Sequence, residues 1–150
     1  MVIVKKWTNK AGPFVQFLRR FKTTISSDKY DFKFDENTNI KENAKKLPKL
    51  KSRKVEYQKP RQGSDNVIQL GYPLYDKEVE NWIHKFYRLK LSDFNYLENY
   101  EIYKQKEIEE LSLEETLSYI TFIIRGERFC DGHIASALED GTIEKLCNNL

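Results

Sequence analysis

The chain has 150 residues, with 26 Lys or Arg against 23 Asp or Glu and a formal net charge of +3. That length suits one domain, or a domain with an appendage, and the absence of any run of about twenty apolar residues excludes a helical membrane span. The small net charge hides a polarity: residues 1–75 hold 17 basic and 7 acidic side chains (+10), and residues 76–150 hold 9 and 16 (−7). In chain order, the β-branched run "VIVKKW" (Val2–Trp7) predicts a short strand. "TNKAG" predicts a turn, and "PFVQFLRRF" a short amphipathic helix with Phe14, Phe17, Leu18 and Phe21 on one side. "KYDFKF" (Lys29–Phe34) alternates Tyr30, Phe32 and Phe34 with charges, the pattern of a half-buried strand. "NVIQLGY" (Asn66–Tyr72) predicts a third strand, stopped by Gly71 and Pro73.

Between these strands the segment 41–61 carries nine basic residues against Glu42 and Glu56, a balance of +7 over 21 residues. With Pro48 and Pro60, little apolar content and no clean period, residues 41–65 read as a basic linker, at least partly mobile when alone. Lys41, Lys45, Lys46, Lys49, Lys51, Arg53, Lys54, Lys59 and Arg61, with Tyr57 among them, are the candidate binding residues. Their chemistry suits phosphate neutralisation with base stacking, or an acidic protein surface reached by electrostatic steering. Sequence alone does not separate RNA, DNA and protein at this point.

From Asp76 the period becomes helical. Val79, Trp82, Ile83, Phe86 and Leu89 recur at steps of three and four, with Asp76 as the cap. "SDFNYLENY" and "EIYKQKEIEEL" are shorter helical pieces capped by Ser92 or Asp93. Ser112 and Glu115 have capping-box spacing ahead of a stripe of Leu113, Leu117, Ile120 and Ile124. Asp131 or Gly132 opens the next helix, Gly141 stops it, and Thr142 caps a last one. The expected fold is therefore α+β: a basic N-terminal module over residues 1–75, then a helical bundle over 76–150.

"FIIRGERFCDGHIASALEDGTIEKL" (Phe122–Leu146) concentrates chemistry-bearing residues between two of these helices. Cys130 and His133 have Cys-x-x-His spacing, and Cys147 and His84 complete the chain's Cys and His inventory, but this spacing does not make a compact zinc finger. Cys130 as a nucleophile with His133 as base lacks an evident orienting residue. Glu127 with Asp131, or Glu139 with Asp140, are acid/base candidates that read more simply as a salt-bridge partner of Arg125 or Arg128 and as exposed helix-end residues. No Walker or dinucleotide pattern is present. The reading is of no catalytic residue, no metal and no cofactor. Arg125, Gly126, Glu127, Arg128, Phe129, Asp131 and Gly132 are expected to form a structural corner, with Phe129 as its buried pivot and Asp131 satisfying the free amides of the next helix. Two cysteines make no disulfide framework, and Met1–Lys10 does not read as a signal peptide, so the expected location is the cytoplasm.

This stretch resembles the C-terminal signature of a small family of uncharacterised bacterial and phage proteins, a domain of unknown function. In that family a helix ends in Arg-Gly-Glu-Arg-Phe, a loop with Asp-Gly follows, and a further helix ends in Gly. The corresponding residues here are Arg125–Phe129, Asp131, Gly132 and Gly141, and the resemblance covers about the last half of the chain. It implies a protein carried by phages or mobile elements that acts by binding host machinery. The resulting expectation is a non-catalytic accessory protein that modulates a host nucleic-acid-handling defence protein, such as a CRISPR effector or another nuclease, as an anti-CRISPR-type inhibitor does. Direct DNA or RNA binding through residues 41–61 is the alternative, and a thiol- or metal-dependent enzyme at Cys130/His133 a weaker one.

Overall fold

The computed structural model describes residues 31–64 and 67–150. The strand expected at Val2–Trp7 and the helix around Phe14–Phe21 lie outside the described residues, as do Lys29, Tyr30 and Asn66. Residues 31–150 form one compact unit. Its order is a short helix α1 (Ile40–Ala44), strand pieces β1 (Glu56–Tyr57), β2 (Arg61–Gln62), β3 (Ile68–Gln69) and β4 (Pro73–Leu74), then α2 (Lys77–Arg88), α3 (Tyr96–Tyr103) and a 3-10 turn (Ile108–Glu110). Helices α4 (Leu113–Gly126), α5 (His133–Glu139) and α6 (Thr142–Asn148) complete it. The fold is α+β.

Helix α4 is the axis. The Ser112 hydroxyl accepts from the Glu115 amide and the Glu115 carboxylate accepts from the Ser112 amide, the full reciprocal capping box. Leu117, Ile120 and Ile124 of the expected stripe are buried, and so are Thr116, Ser118, Thr121 and Ile123, so α4 has neighbours on more than one side. Helix α2 starts at Asp76, whose carboxylate accepts from the Val79 amide, and buries Val79, Trp82 and Phe86. It ends in a Schellman arrangement: the Leu91 amide donates to the Phe86 carbonyl and the Lys90 amide to the Tyr87 carbonyl. Lys90 sits in the left-handed position of that cap at φ 55°.

Residues 31–34 make no strand ladder. The Lys33 amide donates to Asp93 at 2.9 Å and its carbonyl accepts from the Phe94 amide at 2.7 Å, so the partner is the turn before α3. The alternation was legible because Phe32 and Phe34 are half-buried and stacked, at 6.4 Å between centroids. Asp93 is 1% exposed and organises this turn: its carboxylate accepts from the Lys33 and Asn95 amides, the Asn99 side chain and the Ser118 hydroxyl. A buried carboxylate without a cation is tolerable only when its lone pairs are used this fully.

The expected linker over residues 41–65 is corrected. Residues 40–55 form a strap fastened across the helices, with Ala44, Leu47, Leu50 and Val55 all buried. The Asn43 side chain donates to the Leu89 carbonyl at 3.0 Å, and the Trp82 indole donates to the Pro48 carbonyl at 2.9 Å. Further along, the Ser52 amide donates to Glu144, the Arg53 amide to the Leu138 carbonyl and the Val55 amide to Glu139. Arg53 also pairs with Asp76 and Glu78 at 2.9 and 2.6 Å. The boundary expected at residue 75 is therefore not where the chain divides into compact units. Part of the charge polarity between the halves is complementarity inside the fold.

Candidate interaction surface

The strand pieces form one arm. Glu56 pairs with Leu74 and Tyr57 with Pro73; four residues further along each strand, Arg61 pairs with Gln69 and Gln62 with Ile68. Both strands advance equally, so the register is continuous and no bulge intervenes. Between the two ladders the Gln58 amide still donates to the Tyr72 carbonyl at 2.9 Å, and Pro60, lacking an N–H, interrupts the pairing. Gly71 fits because a Cβ there would overlap the Gln58 carbonyl oxygen.

A continuous register fixes two faces, since side chains alternate along a strand and cross-strand partners share a side. Ile68, Leu70, Tyr72 and Leu74 fall on one face, opposite Gln62, Pro60, Gln58 and Glu56. Their exposures of 64, 78, 40 and 47% leave this row largely uncovered. The other face carries Tyr57, Lys59 and Arg61, all exposed. The first face carries this apolar row beside Gln58, Gln62 and Glu56, and no cation; the other is basic.

The foot of the arm is held by the corner that follows α4. Glu127 accepts from the Tyr75 hydroxyl at 2.7 Å, the Gly132 amide at 3.0 Å and the Ile134 amide at 2.7 Å. The Ala135 amide donates in turn to the Tyr75 oxygen. Burial, then the nearby Glu127 carboxylate, push the Tyr75 phenol well above its usual pKa, so it stays a donor. Gly132 has φ 90°, and a Cβ there would stand 3.0 Å from the Tyr57 hydroxyl. Gly126 is helical, and it is needed because a Cβ would overlap the His133 ring.

Three expectations about the corner are thereby corrected. Glu127, not exposed Asp131, satisfies the free amides of α5, because left-handed Gly132 turns those amides back towards the end of α4. Glu127 is a cap and not the ion-pair partner of Arg125 or Arg128. Phe129 is 85% exposed and pivots nothing. Thr142 is likewise the first residue of α6, with Gly141 at φ 82° before it.

Of the basic residues proposed for binding, Lys46 pairs with Glu42 and Arg53 with Asp76 and Glu78. Lys41, Lys45, Lys49, Lys51, Lys54, Lys59 and Arg61 are exposed and make no ion pair with a described residue. Cys130 is exposed and lines an apolar cup of about 260 Å³ with Tyr96, Leu97, Phe122, Phe129 and His133. The His133 Nδ1 lies 3.1 Å from the Ile123 carbonyl, which makes it the protonated nitrogen, and its ring stands edge-on to Phe122. Cys147 is buried, and burial pushes its thiol above the usual value. Among the described residues no group of three or more His, Cys, Asp or Glu could hold a metal, and no helix is long and apolar enough to cross a membrane.

Residues 36–150 match DUF6508, a family of unknown function. The chain belongs to that family. The DUF6508 match begins well before Asp76, so it takes in the strap and the arm as well as the helices. No curated protein and no solved structure matches.

Proposed function

We propose that this DUF6508 chain is a non-catalytic binding protein that docks on a partner protein through the β-arm, the surrounding cations steering the encounter with an acidic surface. The observation that carries this is the row Ile68, Leu70, Tyr72 and Leu74, with exposures of 40–78% on a single face. An uncovered apolar row on a protruding ribbon is a recurring mark of protein contact, and the edges of the ribbon can add a strand from a partner. The partner class in this reading is a host nucleic-acid-handling defence protein, with the chain acting as an anti-CRISPR-type inhibitor in the host cytoplasm. The tagged full chain, passed over nuclease-treated host lysate, is expected to retain one defence nuclease and to inhibit it once purified. Leu70→Glu should lose that capture at unchanged melting temperature. Equal capture by parent and variant, or capture without inhibition, refutes the reading.

Direct nucleic-acid binding has its own supporting observation: the seven exposed cations that make no ion pair with a described residue, two of them on one face of a ribbon slim enough for a major groove. If all seven contact phosphates, log K falls with log salt at a slope of about −6. A mobility shift of that salt dependence, weakened by Lys59→Glu with Arg61→Glu, would place this reading first; no shift at low salt removes it.

A further inference from the structure

We infer that the recess between the end of α2 and α4 is a binding site for a phosphate group, with Arg125 as its principal ligand. The recess has a volume of about 180 Å³ and is lined by Asp35, Tyr87, Lys90, Ser92, Phe94 and Arg125. Small-molecule pockets usually run to about 300–1,000 Å³, so this one suits a single group of a larger ligand.

The charges select an anion. Lys90 pairs with Asp35 at 2.9 Å, and that hydrogen bond is the main reason the Asp35 carboxyl lies below its usual range. These two cancel. Arg125 makes no ion pair with any described residue, and its guanidinium stands 5.9 Å from the centre of the Tyr96 ring. The uncompensated charge of the recess is therefore a guanidinium, whose fork of donors matches an oxyanion.

Two further observations point the same way. The Arg125 Nε and the Ser92 Oγ are sealed from solvent with no hydrogen-bond partner among the described residues, and both residues line this recess. Buried polar atoms left unsatisfied are uncommon in a finished fold and call for a reason. Lys90 then occupies a left-handed cap position that ordinarily belongs to glycine. A lysine there sets its ammonium at the rim at a cost in backbone strain, of the kind that gathers at functional positions.

A phosphate fits better than a carboxylate. The lining combines a guanidinium, an ammonium and the hydroxyl-bearing Ser92 and Tyr87, and a tetrahedral oxyanion offers more acceptors, in more directions, than a planar carboxylate. Tyr87 and Phe94, 39 and 62% exposed, line the recess and offer aromatic surface to the body of a nucleotide. A change of rotamer, a common adjustment on binding, would bring the sealed Arg125 Nε to the ligand.

This site does not depend on the β-arm, and its test uses neither lysate nor nucleic acid. The full chain is titrated with inorganic phosphate, with a nucleoside monophosphate and with acetate at matched ionic strength, following the Nε–Hε proton resonance of Arg125 assigned by its loss in Arg125→Lys. The expected result is a saturable shift with both phosphates, tighter for the nucleotide, and a weaker response to acetate. Arg125→Lys and Ser92→Ala, followed by calorimetry and checked for native circular dichroism, should each weaken phosphate by about ten- to a hundredfold. No saturable shift with phosphate, acetate binding as tightly, or phosphate affinity unchanged in both variants overturns the inference.

Discussion

Glu127→Gln is the sharpest test of how the corner holds the arm. The carboxylate receives three donors on two oxygens: Tyr75 and Gly132 on Oε1, Ile134 on Oε2. Glutamine keeps one acceptor and places an NH₂ against the remaining amide. One charge-assisted bond is lost and the other two fall to neutral strength. Bonds to a charged group contribute about 1.5–3 kcal/mol and neutral ones about 0.5–1.5. Because Glu127 is half-buried and water can serve the freed amides in part, the net loss should be about 2–4 kcal/mol. For a folded unit of this size that lowers Tm by about 10 °C. Urea unfolding followed by circular dichroism measures the loss. Hydrogen exchange locates it: the Gln58 and Gly63 amides, which donate to Tyr72 and Val67 in the arm, should exchange faster while α4 is unaffected. A variant within about 0.5 kcal/mol of the parent, with arm exchange unchanged, would show that the foot is held by something other than Glu127.

Asp93→Asn sets an NH₂ among four donors at a site 1% exposed, and should cost about 2–4 kcal/mol in a urea titration. Lys90→Gly relieves the left-handed strain and gives up a largely exposed ion pair, so stability should rise by about 0.5–1 kcal/mol while phosphate affinity falls. A decrease in stability would make Lys90 a structural tie. Tyr75 contributes a pH dependence of known sign. Its phenol pKa is raised in the fold by burial and by Glu127, so the stabilisation is complete below the unfolded value of about 10 and is lost as pH rises above it. Parent and Tyr75→Phe stabilities should therefore converge from pH 9 to pH 11.5, and a constant difference would contradict the assignment.

The helices were legible because their signals are local. Asp76 before Val79, Trp82 and Phe86, and Ser112 before Glu115, announce a cap and an apolar face within one or two turns. The strap was not legible: Ala44, Leu47, Leu50 and Val55 fall at irregular spacing among lysines, and what fastens them are acids some ninety residues away, Glu139 and Glu144. The row Ile68, Leu70, Tyr72 and Leu74 alternates, and its first three members fall in the strand expected over Asn66–Tyr72. Period two says which residues share a side and not whether anything covers that side. At the corner, residue types suggested the right chemistry with the wrong assignment. Asp131 is nearest the helix start in sequence, but the left-handed Gly132 brings Glu127 nearest in space. Arg125 was expected to pair with Glu127; that it makes no ion pair with a described residue is visible only in three dimensions.

The unbroken register of the arm also limits how such a chain can change length. Removing one residue from either strand would move every side chain beyond the cut to the opposite side. Lys59 and Arg61 would then share a face with Ile68 and Leu70, and neither a protein surface nor a phosphate backbone would meet a uniform face. Relatives that keep both faces should therefore differ in arm length by pairs of residues on each strand, or vary only at the turn. The reach of the arm would evolve in steps of about 7 Å, the rise of two strand residues, while the helices beneath it stay unaltered.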